Sequence, residues 1–596
     1  MKEIKVPVLI VGGGACGLTS SLLLSDLKIE SLLVERHEST SHLPKAHYLN
    51  QRTMEILRQH GVADDVVKVG CPIDNMGKIV FRTSFGGDGT LDGKVIYELD
   101  AFGGRSLKEK YAKDGPILSN NYPQFRFEPL LRKHAEDRKY GQLLFSHELI
   151  EFNQDDNGIT ATITNKKTNE TFVVKADYMI AADGGKTIGK KLGVKMEGPT
   201  NILNMVSTHF SAELHKYWDE ETLLTFLTNP EGGDSWSSGA MAKMGPSWDK
   251  SEEYVIHFMF RPDDPTEFTK ENMVPRVRQL LKVPDDLEIN VHAISSWILE
   301  GVLADRYQFD RIFIAGDAAH RHPPTTGLGM NTAIQDAHNL AWKLALVLKN
   351  KADKSLLDTY EKERRPIGMR NVDWAMFTFL NHFVMDAGIG LVPGAPVEQN
   401  KVAFEVLFSD TPMGRTRRQR VKETFDTQRT ECQAHDLEMG FVYEDGAVIP
   451  DGTDTPLSDP MGCEYIPTTR PGHRLPHSWL KSSEKEVSTH DFTGASENFV
   501  LITGEKGDKW IDAAQKLIKE TDLNIETVKI GKDTGWNDKS GYWALYGGIN
   551  DDGVVIVRPD NHIAFRTACI SENPYQTLES AFARLLGISV SETAQA

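Results

Sequence analysis

The apolar run Val8-Leu9-Ile10-Val11 leads directly into Gly12-Gly13-Gly14-Ala15-Cys16-Gly17, and a second run, Ser31-Leu32-Leu33-Val34, ends on Glu35. A G-x-G-x-x-G turn between a strand and a helix, with an acid at the tip of the next strand, admits few folds. The glycines allow a tight turn, let a pyrophosphate approach the backbone, and let the helix pack close to the strand. The helix N-terminus then offers unpaired N–H groups and partial positive charge to phosphates, while Glu35 can accept from ribose hydroxyls. The pattern predicts a doubly wound α/β domain that binds a dinucleotide at Gly12, Gly14, Ala15, Gly17 and Glu35, with Arg36 beside them.

Two later stretches narrow the dinucleotide. Arg311-Ile312-Phe313-Ile314-Ala315-Gly316-Asp317 is a buried-strand pattern closing on Gly-Asp, followed by Arg321 to Asn331 and a helical run through Lys349. Tyr178-Met179-Ile180-Ala181-Ala182-Asp183-Gly184-Gly185 closes on Asp-Gly. In this order the three stretches resemble the single-component FAD-dependent aromatic hydroxylases, the class typified by p-hydroxybenzoate hydroxylase. Leu43 to Leu57, His320 to Lys343 and Gly440 to Gly452 look like the matching segments of phenol hydroxylases and dichlorophenol monooxygenases, so the likeness spans nearly the whole chain. The chain departs at Lys186-Thr187, where the family often has Arg-Ser, and at Thr326, where Gly or Asn is frequent.

The resemblance implies FAD as cofactor, NAD(P)H and O2 as co-substrates, and hydroxylation of a phenolic ring through a flavin C4a-hydroperoxide. It assigns the ADP half of FAD to the glycine turn and the ribityl chain and pyrophosphate to Asp317, where a helix N-cap is the competing role. Asp183 is associated with FAD and NAD(P)H, or with the turn alone. Pro324, Gly327, Gly329, Met330 and Asn331 line the flavin ring, with helix N–H groups toward its N1/C2=O edge. Arg52 and Gln124 are further contacts by resemblance, and a surface ion pair with Glu55 at i,i+3 is the other reading of Arg52. His47 aligns, by the Arg-Thr-x-Glu anchor, with the substrate-side Asp of phenol hydroxylases and is the candidate base; a histidine in a structural turn is its alternative. The same fold serves Baeyer–Villiger and polyketide-tailoring oxygenases. It also serves binding scaffolds such as Rab GDP-dissociation inhibitors.

At 596 residues the chain exceeds one core. A net charge of −18 argues against nucleic acid and anionic membranes. Cys16, Cys71, Cys432, Cys463 and Cys569 show no Cys-x-x-Cys or metal-ligand spacing, which fits a reduced, cytoplasmic setting. Met1 to Lys5 leads straight into the first strand, and no apolar run nears the ~20 residues of a membrane span. No serine elbow, His-Glu-x-x-His or Walker loop is present, and His320 and His322 read as loop-shaping residues, with no metal expected.

Patterning divides the chain into residues 1–200 and 301–400 as two parts of the FAD-binding domain, and 201–300 as an inserted, mostly antiparallel substrate sheet. A helical connection follows at 401–470, then a thioredoxin-like domain at 471–596 without the redox dithiol, suited to a structural or dimer-forming role. Gly86-Gly87-Asp88-Gly89 reads as loop. Trp236, Met241, His257 and Met259 fall within the inserted sheet, and patterning does not orient them. The tail carries no catalytic group on this reading, so a chain ending near residue 475 is expected to keep FAD.

Overall fold

The computed structural model describes residues 2–231, 238–392, 394–532 and 534–588, so Trp236 lies outside the described residues. Its cofactor half is built on a sheet ordered Gln308–Phe309, Ile312–Ile314, Thr171–Ala181, Glu3–Val11, Ser31–Glu35, Gly141–Phe145. The last five of these strands run parallel. Val8, Leu9 and Ile10 are fully buried, as a parallel strand covered on both faces requires. Helices Ala15–Asp26 and Leu328–Leu348 pack on it and on each other. The antiparallel strands His147–Asp155 and Gly158–Asn165 extend the Thr171–Ala181 strand at one side.

The second sheet has seven strands, ordered Asn290–Leu299, Leu203–Ser211, Glu253–Phe260, Gly239–Gly245, Thr222–Leu227, Lys78–Arg82, Val95–Asp100. Only Thr222–Leu227 with Lys78–Arg82 is a parallel pair. This corrects the expected boundary: the sheet is not confined to 201–300 but takes two strands from residues 78–100. The glycine-rich stretch is the loop that joins those two strands. One face of the sheet packs Phe210, Tyr254, Ile256 and Phe258 against helix Lys270–Leu281. The other face looks toward the cofactor half.

Long helices follow at Thr359–Asn381 and Phe383–Ile389, then Val397–Phe408 and Pro412–Phe425. The connection expected to be helical to residue 470 loses its last helix at Met439; 440–478 carries no helix or strand. In the tail, strands Ile525–Lys529, Phe499–Thr503, Val554–Val557 and Ile563–Thr567 form a four-stranded sheet in that order. The first pair is parallel, the others antiparallel. Helices Asp508–Glu520 and Pro574–Leu586 pack together beside it. A small sheet of Glu486–Ser488, Trp479–Lys481 and Asn537–Asp538 was not legible from patterning.

The tail is fastened to the cofactor half through buried charge. Arg558 pairs with Glu363 and Asp560, and Lys343 donates to Glu363 (2.7 Å). Arg474 forks onto Glu55, whose other partner is Arg52 at 3.0 Å. Arg52 also donates to the Asp560 carbonyl (2.7 Å), and the Trp342 indole to the Asp560 carboxylate (3.2 Å). Burial pushes Glu363 up, but Arg558 and Lys343 more than reverse that and hold it at about 2.

Candidate active site

Four strand ends lie side by side at the carboxyl edge of the parallel sheet, carrying Asp317, Asp183, Gly12 and Glu35 in that order. Ligands of open α/β sheets bind in the crevice outside those ends. Gly12 sits at φ +114°, and a Cβ there would lie 2.2 Å from the Ala182 carbonyl oxygen. A Cβ on Gly17 would lie 1.9 Å from the Gly12 carbonyl oxygen. Around Gly14, in contrast, the only near atom is Glu128 Oε1 at 3.5 Å. The helix Ala15–Asp26 has no acid in its first turn and no side-chain cap on Gly14. That end suits an anion.

Glu35 accepts from the Gly13 N–H (2.7 Å) and from the His37 N–H (2.8 Å), which aims its carboxylate along the glycine turn. Arg36 is half-exposed, with no ion-pair partner among the described residues. Asp317 lies inside a short 3-10 turn with an exposed carboxylate and caps nothing. Asp183 accepts from the N–H groups of Gly185, Thr187 and Ile188, so its carboxylate maintains the turn.

The predicted contact of Arg52 is corrected. Arg52 is fully buried among Glu55 and the Asp560 carbonyl, facing the tail rather than a cofactor. Its Glu55 pair is an interior one, not a surface one. Gln124 bridges Ala46 N–H and Glu128, donating to the latter at 2.7 Å. Glu128 in turn accepts from the N–H groups of Ala15 (3.2 Å) and Ser41 (3.1 Å), joining the start of the glycine-turn helix to the chain before His47. Burial raises its pKa, against the lowering effect of the hydrogen bonds from Gln124, Ser41 and Ala15. Glu128 was missed as a site residue, although the i,i+4 spacing from Gln124 signalled it.

The loop after Asp317 is held from below. Buried Asp336 accepts from the Gly316 N–H (3.1 Å), pairs with His320 Nε2 (2.8 Å) and accepts from Arg364 Nε (2.8 Å). Burial alone would raise its pKa; Arg364 and His320 hold it below the usual carboxylate range. Pro324 is exposed and opens a 3-10 turn in which Thr326 takes φ +63° and Gly327 φ +64°. A β-branched residue is strained there, the physical reason Gly or Asn suits the position. The helix Leu328–Leu348 then starts with Gly329 and Met330 in its first turn, no acid, and no side-chain cap. Asn331 is committed to scaffold: its amide donates to the Tyr48 and Gly327 carbonyls and accepts from Asn50 N–H. His322 Nε2 is buried beside Gly329 without a partner, which fits a polar group seated in this loop.

His47 stands where the cofactor half meets the roof sheet. Its carbonyl accepts from Tyr122 N–H (2.8 Å), and its Nδ1 bonds the Asn121 carboxamide oxygen at 2.5 Å. A carbonyl oxygen only accepts, so Nδ1 carries the proton and Nε2 keeps its lone pair. Burial lowers the pKa of His47, against a smaller raising effect from Asn121, and the ring is neutral near pH 7.

Two helix starts with no side-chain cap from the residue before them, an exposed carboxylate and an acid at the second strand tip fit a flavin dinucleotide along this edge. Residues 5–375 match the model of the FAD binding domain, and 468–588 that of the aromatic-ring hydroxylase C-terminal region. The chain belongs to the FAD-dependent aromatic hydroxylase family and is a flavoprotein monooxygenase with FAD as its cofactor. It is 31% identical to phenol 2-monooxygenase of Pseudomonas sp. (strain EST1001) over 96% of this chain and 92% of that one. It is 30% identical to 2,4-dichlorophenol 6-monooxygenase of Delftia acidovorans over 98% and 99%. The solved structure of the flavin-dependent monooxygenase PieE in complex with FAD and substrate superposes with a TM-score of 0.91 at 34% identity, covering 98% of this chain and 100% of that one. Among the described residues no helix is long and apolar enough to cross a membrane.

Asp317→Ala is expected to fold and to bind FAD at least about tenfold more weakly, because hydrogen bonds to a charged group contribute about 1.5–3 kcal/mol. Fluorescence titration of the apoprotein with FAD measures this, and unchanged affinity removes Asp317 from the cofactor site.

Proposed function

We propose that this monooxygenase hydroxylates a phenolic ring at the expense of NAD(P)H and O2, with His47 as the group that takes the phenolic proton. Bound FAD would supply the redox chemistry, passing two electrons from the nicotinamide to O2 so that one oxygen atom goes to the ring and the other leaves as water. Gly12, Gly14, Ala15 and Gly17 would seat its pyrophosphate, Glu35 its ribose and Asp317 its ribityl chain. The helix starting at Leu328, with Gly329 and Met330, would face the flavin ring.

The observation that carries the reading is the Asn121–His47 pair. It fixes the tautomer that leaves Nε2 as an acceptor. A phenolate ring is a much better nucleophile than a phenol ring, so this proton transfer governs how much transferred oxygen reaches product. The similarity to phenol 2-monooxygenase over nearly the full length supports the same substrate class. Met369, Phe377, Leu380 and Val384, exposed on adjacent helices, offer a face for a homodimer. The unpaired cysteines fit a cytoplasmic setting.

His47→Ala tests the mechanism. The variant should keep its FAD and still oxidise NAD(P)H when a phenol binds, but release several-fold more hydrogen peroxide per product. Raising the pH toward the phenol's own pKa should restore part of the coupling, since solvent then removes the proton. Wild-type coupling with an unshifted pH profile would make His47 structural.

A further inference from the structure

The cofactor-facing side of the roof sheet carries two polar groups: His209, bonded to Glu253 at 2.9 Å beside Phe125, and a row formed by Ser295, Ser207 and His257. Cross-strand register places Ser295 opposite Ser207, Ser207 opposite His257, His257 opposite Ala240, and Ala240 opposite Phe226. On one side of the row, Ala242, Met244 and Val255 pack against Phe125 of helix Gln124–Glu136. On the other, Met205, Met259 and Trp297 pack against Phe379 of helix Thr359–Asn381. The Phe226 ring lies 5.1 Å from that of His382. The sheet is therefore pinned to the cofactor half around the row, and Ser295, Ser207 and His257 stand between the pins. Patterning could not orient His257; register does.

The row looks toward His47. The His47 backbone is paired to Tyr122, three residues before Phe125, which packs on the same face of the sheet that carries His257. His257 Nδ1 bonds the Ser207 hydroxyl at 2.8 Å. Neither His47 nor His257 has a hydrogen-bond partner for Nε2 among the described residues. Burial, reinforced by the neighbouring His47, holds His257 at about 4, so it too is neutral.

The two rings differ in what backs them. The Asn121 carbonyl locks His47 as an acceptor. The Ser207 hydroxyl rotates, so it serves either tautomer of His257, whose Nε2 can give a hydrogen bond or take one. A ligand that covers this ring without bonding Nε2 leaves a polar atom unpaired, which costs free energy.

We propose that His257, backed by Ser207, is a second substrate-recognition group, and that the preferred substrates are aromatic rings bearing two oxygen functions. One oxygen meets His47 and loses its proton; the other, a hydroxyl or carbonyl, is held by His257. This rests on the reading of His47 as the phenol-binding base. A ring lacking the second oxygen leaves His257 unpaired, and discrimination of at least about tenfold follows.

The test uses the FAD-loaded enzyme, with binding read from perturbation of the flavin absorbance spectrum. The probes are phenol and the three dihydroxybenzenes: catechol, resorcinol and hydroquinone. One dihydroxybenzene should bind the wild type at least tenfold tighter than phenol. His257→Leu should lose that preference, weakening the favoured dihydroxybenzene at least tenfold and phenol by no more than about twofold. His257→Gln, whose amide both gives and accepts, should keep part of it, and FAD content confirms that each variant is folded. If the preference survives in His257→Leu, or both ligand types weaken alike, His257 does not read the second oxygen, while the His47 mechanism stands on its own coupling data. If no phenol perturbs the flavin of the wild type, the phenol reading fails and this assignment falls with it.

Discussion

Removing the residues beyond 470 is expected to give a protein that neither folds cooperatively nor retains FAD. Patterning, which found no catalytic group in the tail, expected a chain ending near 475, and so still holding Arg474, to keep FAD. Loss of the residues beyond 470 would strip Glu55 of Arg474, Glu363 of Arg558, and Arg52 of the Asp560 carbonyl, all in the interior. Breaking a buried pair from one side costs about 3–5 kcal/mol, and a whole domain has only about 5–15 kcal/mol to lose. Helix Gln51–Gln59 holds Arg52 and Glu55 and follows directly on His47 to Asn50, so the damage reaches the active site. Arg558→Ala isolates one link: Glu363 keeps Lys343 but loses its bidentate partner, and about 3–5 kcal/mol should disappear from urea unfolding of the full chain. A soluble, yellow, cooperatively unfolding chain of residues 1–470 would show the tail to be dispensable.

The second large effect is acid lability. His257, His322, His473, His477 and His562 are each held at about 4, with burial as the leading cause. The unfolded chain binds these protons near pH 6.5, whereas the folded one resists them until about 4. The contribution of these histidines is therefore level above about pH 6.5 and falls as pH drops through that window, each group contributing up to about 1.4 kcal/mol per pH unit. Glu438 works the other way. Burial pushes its carboxyl up to about 8, so the folded state takes its proton first and gains between about 8 and 4.5. The histidines outnumber that one offset, so on balance stability falls below pH 6.5. The enzyme should release FAD and unfold by about pH 5, well before its ion-paired carboxylates titrate. Flavin fluorescence and urea midpoints across pH 7.5 to 5 follow this directly, and a flat midpoint over that range would refute it.

The cofactor edge was legible because its four markers each end a local pattern. An apolar run followed by Gly12, Glu35, Asp183 or Asp317 is visible without knowing which strands are neighbours. Long-range partners were not. Arg52 and Gln124 showed their near partners, Glu55 and Glu128, at helical spacing, but nothing local reveals that Asp560, 508 positions on, seals Arg52 away. Strands Lys78–Arg82 and Val95–Asp100 are short, and what makes them part of the roof is pairing with Thr222–Leu227, more than a hundred residues later. The orientation of His257 likewise depends on register with Ser207, which a single strand's alternation leaves open.

That recruitment of residues 78–100 has a mechanical consequence. A sheet inserted at one place in a chain hangs from two neighbouring strands and can swing about them. This one is crossed by the backbone four times, entering at Lys78 and Leu203 and leaving at Asp100 and Leu299. A rigid swing would have to bend all four tethers at once. The roof therefore behaves as a fixed vault, and passage of substrate and product is left to loops and side chains at its rim rather than to a hinge between halves.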